Sequence, residues 1–385
     1  MLSRFRGYVT AVVLFLTIVP ATQAKYGGGT GEPNNPYLIY TAEHLNAIGV
    51  ESNDWGKHFK LVADIDLSEF SYSTALIVPD TANNTAGFQG TPFTGIFDGN
   101  DHIISNLTID GAGYLGLFGC LAPEGEIKDL ELVDVNIVGS GDCVGGLVGQ
   151  NGGILSQCRS TGGVSGDTEV GGLAGHNFGL VANCHSAGAI SGIGKVGGLV
   201  GYNLSGQVLQ CYSTGTVRAS GWYVGGLLGS NSGYVLRCYS TGAVRGRYYA
   251  GGLVAINSGS IINCYSTGLI SGIGPAFGGL VGSNTGIVID CFWDTQATGL
   301  NRSEAGTGLT TIQMQDIQTY LDAGWDWAGQ ANDGISEVWQ MPEEGGYPVL
   351  AVFSGYAPAE LQGLGTAEDP YLVSEALELA AMVNY

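Results

Sequence analysis

The chain has 385 residues, 66 of them glycine, and carries 34 acidic against 13 basic side chains for a net charge of −21. That balance excludes nucleic acid and anionic lipid as favoured partners. A 44% apolar content, rich in strand formers, excludes intrinsic disorder.

At the start, "MLSRFRGYVTAVVLFLTIVPATQA" places Arg4 and Arg6 before an apolar run from Val9 to Val19, then small residues up to Ala24. This is the pattern of an export signal, residues 1–24, cleaved near Ala24. No later segment is long and apolar enough to span a bilayer as a helix, so no membrane span is expected after cleavage. Residues 25–110 read as an N-terminal cap with irregular β coils. In this region Thr41–Ile48 is a short helix with Thr41 as its cap and Gly49 as its stop. Asp98 and Asp101 in "FDGNDH" read as turn chemistry, and Asp64 and Asp66 alternate on a strand.

From Gly145 onward the chain repeats. Gly-Gly-Leu triplets begin at Gly145, Gly171, Gly197, Gly225, Gly251 and Gly278, a period of 26 to 28 residues. Each unit is too small to bury its own core, so the units must stack. The apolar pieces between glycines are short and rich in Val, Ile, Leu, Tyr and Thr, which suits strands and not helices. The fold class is therefore all-β, a parallel β-solenoid over 111–300, with the right-handed crossing favoured for parallel connections.

Stacking puts equivalent residues above one another. Val144, Val170, Val196, Val224, Ala250 and Phe277 form one inward column, and Leu147, Leu173, Leu199, Leu227, Leu253 and Leu280 another. Asn151, Asn177, Asn203, Asn231, Asn257 and Asn284 form a ladder that can exchange amide hydrogen bonds between coils. Cys158, Cys184, Cys211, Cys238, Cys264 and Cys291 form a fourth column, either a stack of buried thiols or three disulfides between neighbouring coils. No metal site is expected, because each unit supplies one thiol without a CxxC or a histidine at ligand spacing. Calcium would suit an acidic exported chain, but no specific motif calls for it. Cys120 and Cys143 fall outside the ladder.

The segments "GGLVGQN", "GGLAGHN", "GGLVGYN", "GGLLGSN", "GGLVAIN" and "GGLVGSN" resemble the GLUG motif family, with Ala255 departing from the last glycine of the pattern. The resemblance implies a secreted or surface-attached bacterial β-solenoid. Such repeats also occur in regions of some immunoglobulin A-cleaving peptidases. The family supplies no agreed catalytic residues, so none carries over.

Residues 301–355 read as a C-terminal cap. Thr311–Ala323 is helical and ends at Gly324, and Trp325, Trp327, Trp339 and Tyr347 pack over the last coil. Residues 356–385, "YAPAELQGLGTAEDPYLVSEALELAAMVNY", repeat the plan of the mature start. They read as the truncated beginning of a second domain copy.

Among candidate functional residues, no HExxH, GxSxG or Cys–His nucleophile motif is present. The best binding candidate is aromatic and basic: Trp222, Tyr223, Tyr248 and Tyr249 on adjacent coils, with Arg218, Arg245 and Arg247 nearby. Exposed rings stack on sugars, and guanidinium groups bond hydroxyls and carboxylates. The reading is a non-catalytic adhesin, scaffold or glycan-binding module whose partner is an extracellular polysaccharide or another surface protein. One alternative is a polysaccharide lyase or hydrolase, which requires three or more acids converging on one face around Asp98 or within the coils. The other is the stalk of a larger extracellular enzyme.

Overall fold

The computed structural model describes residues 25–80, 87–329 and 337–353. The export signal over 1–24 and the second domain start over 356–385 lie outside the described residues, as does the end of the expected cap.

One coil shows why the sequence repeats. Tyr223–Gly225, Leu228–Asn231, Tyr234–Leu236, Tyr239–Ser240 and Val244–Gly246 are its five short strands. The next coil repeats them one above another in parallel register: Val224 faces Ala250, Leu228 faces Val254, Val235 faces Ile261, Tyr239 faces Tyr265 and Val244 faces Ile270. Continued along the chain, the strands form one sheet of 23 strands, one of seven and one of six. Glycine recurs at the Gly-Gly corner for a steric reason: a Cβ on Gly226 would run into the Gly252 carbonyl of the next coil.

The inner columns are dry. Leu147, Leu173, Leu199, Leu227, Leu253 and Leu280 have no exposed surface, and the valine column is buried beside them. The asparagine side chains link in series, each Nδ2 donating to the Oδ1 of the next coil at 2.7–2.8 Å from Asn151 through to Asn284. All eight cysteines are free thiols and all are buried. In the ladder the backbone N–H of one cysteine donates to the sulfur of the next, at 3.3–3.4 Å. Each thiol in turn donates to the carbonyl two residues before it, as Cys211 does to Leu209 at 3.1 Å. The residue before each ladder cysteine, for example Asn183 or Asn263, is left-handed, which turns the chain between two strands.

The solenoid extends below Gly145. Tyr37–Ile39, His58–Leu61, Ile96–Ser105 and Glu126–Gly139 stack in parallel and lead directly into the repeats. The "GLFG" segment joins too, Phe118–Leu121 pairing with Val148–Asn151. The less regular early coils are thus the same solenoid.

Three local expectations need correction. The first helix runs Ala42–Val50, capped by the Thr41 hydroxyl, and passes through Gly49. Gly49 is there because a side chain would strike the Leu76 carbonyl packed against the helix. Asp98 and Asp101 lie inside the strand Ile96–Ser105, at a register shift with left-handed Asn100 and Asp101, so they mark a bulge and not a turn between strands. The single C-terminal helix is two short ones, Thr311–Met314 and Ile317–Leu321, because Asp316 caps the second and interrupts the first.

The C-terminal segment also sits elsewhere than over the last coil alone. Trp325, Trp327 and Trp339 are buried in a second core with Tyr239, Tyr265 and Phe292. The "CYSTG" tyrosines form an outer aromatic ladder: His185, Tyr212, Tyr239 and Tyr265 stack with centroids 4.6–5.0 Å apart. The cap folds back along it, with the Tyr265 hydroxyl donating to the Pro348 carbonyl and the Phe353 ring edge-on to Tyr212 and His185. It therefore covers a flank of several coils.

Candidate functional site: an arginine groove with an aromatic rim

The strands Thr216–Ala219 and Val244–Gly246 alternate inward valines with outward arginines, so Arg218 and Arg245 emerge from the same face in direct register. Arg247 follows where the chain leaves the second strand. The three line an open groove of about 570 Å³ with Ser165, Ser191, Ser220 and Ile193. All three are exposed. Among the described residues none of them forms an ion pair. In a chain of net charge −21 that is a local reversal of sign.

Trp222 and Tyr248 stack beside this groove, centroids 4.6 Å apart and planes 22° from parallel. The Arg247 guanidinium lies 5.2 Å from the Tyr248 ring centre. Trp222 remains 54% exposed, so most of one indole face is free for a ligand. Tyr223 and Tyr249 are in register on the following strand, tilted by 54° and half-buried. The sequence patch therefore divides. Five of its seven residues gather at the groove, while Tyr223 and Tyr249 continue a different outer column.

That second column holds a cluster the sequence reading missed. Tyr114, Cys143, Glu169 and Lys195 succeed one another on neighbouring coils, each with left-handed backbone. The adjoining strand places His176 beside them. Glu169 Oε2 accepts from the Cys143 thiol at 3.2 Å and contacts His176 Nδ1 at 3.0 Å, while Oε1 takes the Lys195 ammonium at 2.8 Å. Burial opposes the Glu169 charge, but the hydrogen bonds from His176 and Lys195 outweigh it and hold its carboxyl down at about 2. Burial, with the Glu169 charge beside it, pushes the Cys143 thiol well up. Local spacing does not reveal it: in a solenoid, neighbours are one coil period apart, so a search for CxxC spacing looks in the wrong place.

A third feature bears on the enzymatic alternative. Asp101, Asp129 and Glu131 line a smaller hollow of about 120 Å³ with Arg159 and Phe353. Burial, followed by the charge of Asp98, raises the Asp129 carboxyl above its usual range. Asp64 and Asp66 are held locally: Asp64 accepts from Ile103 N and contacts His102, and Asp66 accepts from Ser68 and Asn106. Among the described residues no helix is long and apolar enough to cross a membrane.

Comparison with known proteins agrees with the repeat. Over 147 residues the chain is 37% identical to halomucin of Haloquadratum walsbyi, a stretch covering 37% of this chain and 2% of that one. It is 32% identical over 147 residues to a protein of Evansella cellulosilytica described as a Gly-rich membrane protein, covering 37% of this chain and 16% of the relative. The chain thus spans a small part of either relative's length. A solved structure from Bacteroides ovatus, described as an immunoglobulin A1 protease, aligns over 84% of this chain and 95% of its own at 18% identity, with a TM-score of 0.48. The family model described as the GLUG motif matches residues 194–218 and 246–271, so two of the repeat units carry that motif.

Proposed function

We propose that this protein is an exported, non-catalytic β-solenoid of the cell surface or its surrounding matrix, which binds an acidic extracellular polysaccharide in the Arg218–Arg245–Arg247 groove. One observation carries the reading: three exposed arginines, without a carboxylate partner among the described residues, line a groove beside the stack of exposed Trp222 on Tyr248. Rings that stack on sugar faces, next to guanidinium groups that bind carboxylate or sulfate in a bidentate manner, suit a uronic or sulfated chain. The rigid stack suits a scaffold or adhesive spacer, and relatives named as a mucin and a membrane protein support a surface setting.

The test is depletion of the chain from solution by acidic and by neutral polysaccharides, with release of new sugar ends measured in the same tubes. Retention on acidic chains only, weakened by salt and lost in Trp222→Ala, is the expected result. Equal retention on neutral chains removes the charge argument. A second reading rests on the raised Asp129 carboxyl beside Asp98 and Asp101, an arrangement that could supply a general acid. New sugar ends that vanish in Asp129→Asn would establish that reading and end the non-catalytic one.

A further inference from the structure

The geometry points to a second site, independent of the groove: Cys143, Glu169 and His176 form a three-ligand site for a zinc-type divalent transition ion. The three donor atoms lie within 4.8 Å of one another. The measured pairs are 3.2 Å for sulfur to Oε2 and 3.0 Å for Oε2 to Nδ1. A tetrahedral zinc ion separates such donors by roughly 3.3–3.6 Å, so these two pairs need open by only a few tenths of an ångström, and the sulfur and Nδ1 lie within 4.8 Å of each other. A thiol, an imidazole and a single carboxylate suit zinc-like ions, whereas calcium takes oxygen ligands only.

The fold holds these groups ready. Cys143 is 3% exposed and His176 9%. The imidazole is clamped between Phe178 at 4.2 Å and Tyr202 at 4.9 Å, both near parallel. Gly175, beside His176, lets the two sheets close at this corner, since a Cβ there would meet the Cys143 and Val144 backbone. A purely structural role leaves one feature unexplained: an ion pair between Glu169 and Lys195 needs neither the thiol nor the imidazole that converge on the same carboxylate. On binding, the ion takes the Cys143 sulfur as thiolate and the thiol proton leaves to solvent. The proton that His176 Nδ1 shares with Glu169 also leaves that nitrogen, the ring taking one up at Nε2 to remain a neutral imidazole. Oε2 turns from its two neighbours to the metal. Lys195 keeps Oε1, and its charge opposes the ion.

Cobalt(II) added to the folded chain is the probe, because cobalt thiolate bonds give a sulfur-to-metal charge-transfer band that zinc then displaces. The expected result is one cobalt per chain, with the band abolished in Cys143→Ser and affinity reduced at least tenfold in His176→Gln. Lys195→Met should tighten binding by on the order of tenfold, since it removes a nearby positive charge. A purely structural ion pair predicts the reverse for Lys195→Met, a less stable chain with no gain in metal. The proposal is overturned if the band is absent, or if it persists in Cys143→Ser and so belongs to the ladder thiols. Circular dichroism of each variant shows whether it has folded.

Discussion

The inner and outer columns of this solenoid obey different rules. Inside, one residue type recurs nearly unchanged: leucine at six successive coils, asparagine at six, cysteine at six. Outside, the column two residues before Gly-Gly reads Cys143, Glu169, Lys195, Tyr223, Tyr249 and Ala276. An inward residue touches its own copies above and below, so any residue that packs well on itself is favoured at every level. An outward residue meets solvent on one side and can change from coil to coil. Constancy therefore reports packing here, and departures from it report where chemistry can sit.

The comparison breaks most visibly in the core. Leu199→Ala empties a fully buried site between two identical neighbours and should cost about 2–5 kcal/mol, read as a fall in the denaturation midpoint. Next comes acid. His185 ends the outer aromatic ladder, and burial, with Arg159 nearby, pushes its imidazole down to about 4. A folded value below the unfolded one near 6.5 means the folded chain binds fewer protons. Stability contributed by the neutral ring is complete above that unfolded value and declines as pH falls from about 6.5 to 4, by up to about 3 kcal/mol. His185→Gln should flatten that part of the stability–pH curve. A curve that keeps its slope in the variant would assign the acid sensitivity to other groups.

How much of this could be read beforehand follows from the same division. The fold class, the coil period and the inner columns were legible because the residues that build them repeat. The Asn151–Asn284 ladder was legible for the same reason, since a polar residue kept at one register must bond to its copies. The outer tyrosine ladder recurs as well, in "CYSTG", yet it was missed because it is completed by the C-terminal cap, and nothing local shows that Trp325 and Trp339 reach back to Tyr239 and Tyr265. The Glu169 cluster was illegible for a different reason. It joins residues from two adjoining columns, and which columns meet at a corner depends on backbone geometry around Gly175. Tyr223 and Tyr249 were legible as an outward pair because their column adjoins the inward valines, and they lie in register. Trp222, Tyr248 and the arginines were placed beside them by sequence proximity, and the corner between the strands separates the two groups.

The asparagine ladder sharpens the inner rule at a smaller scale. Asn203→Ala removes one acceptor from Asn177 and one donor from Asn231, both buried. Asn177 Nδ2 keeps its bond to the Gly179 carbonyl and Asn231 Oδ1 keeps the Gly233 N–H, so one buried N–H is left unpaired, which should cost about 1–3 kcal/mol. Asn284→Ala, at the end of the ladder, removes one link between coils, the acceptor for Asn257, and should cost less. Equal losses at the two positions would mean that the links do not act in series.

The smallest effect on stability should come from the groove, and it is the one that separates the two kinds of column most cleanly. Arg218 and Arg245 are exposed, face each other across one strand spacing, and have no acid partner among the described residues. Like charges so placed repel by a few tenths of a kcal/mol. Arg218→Gln with Arg245→Gln should therefore leave the denaturation midpoint unchanged or slightly raised. The same double variant should lose retention on acidic polysaccharide and its salt dependence together, because the attraction it removes is electrostatic. Loss of binding without loss of stability is the signature of residues kept for a partner. A destabilised double variant would instead place the arginines with the inner columns, as part of what holds the coils together.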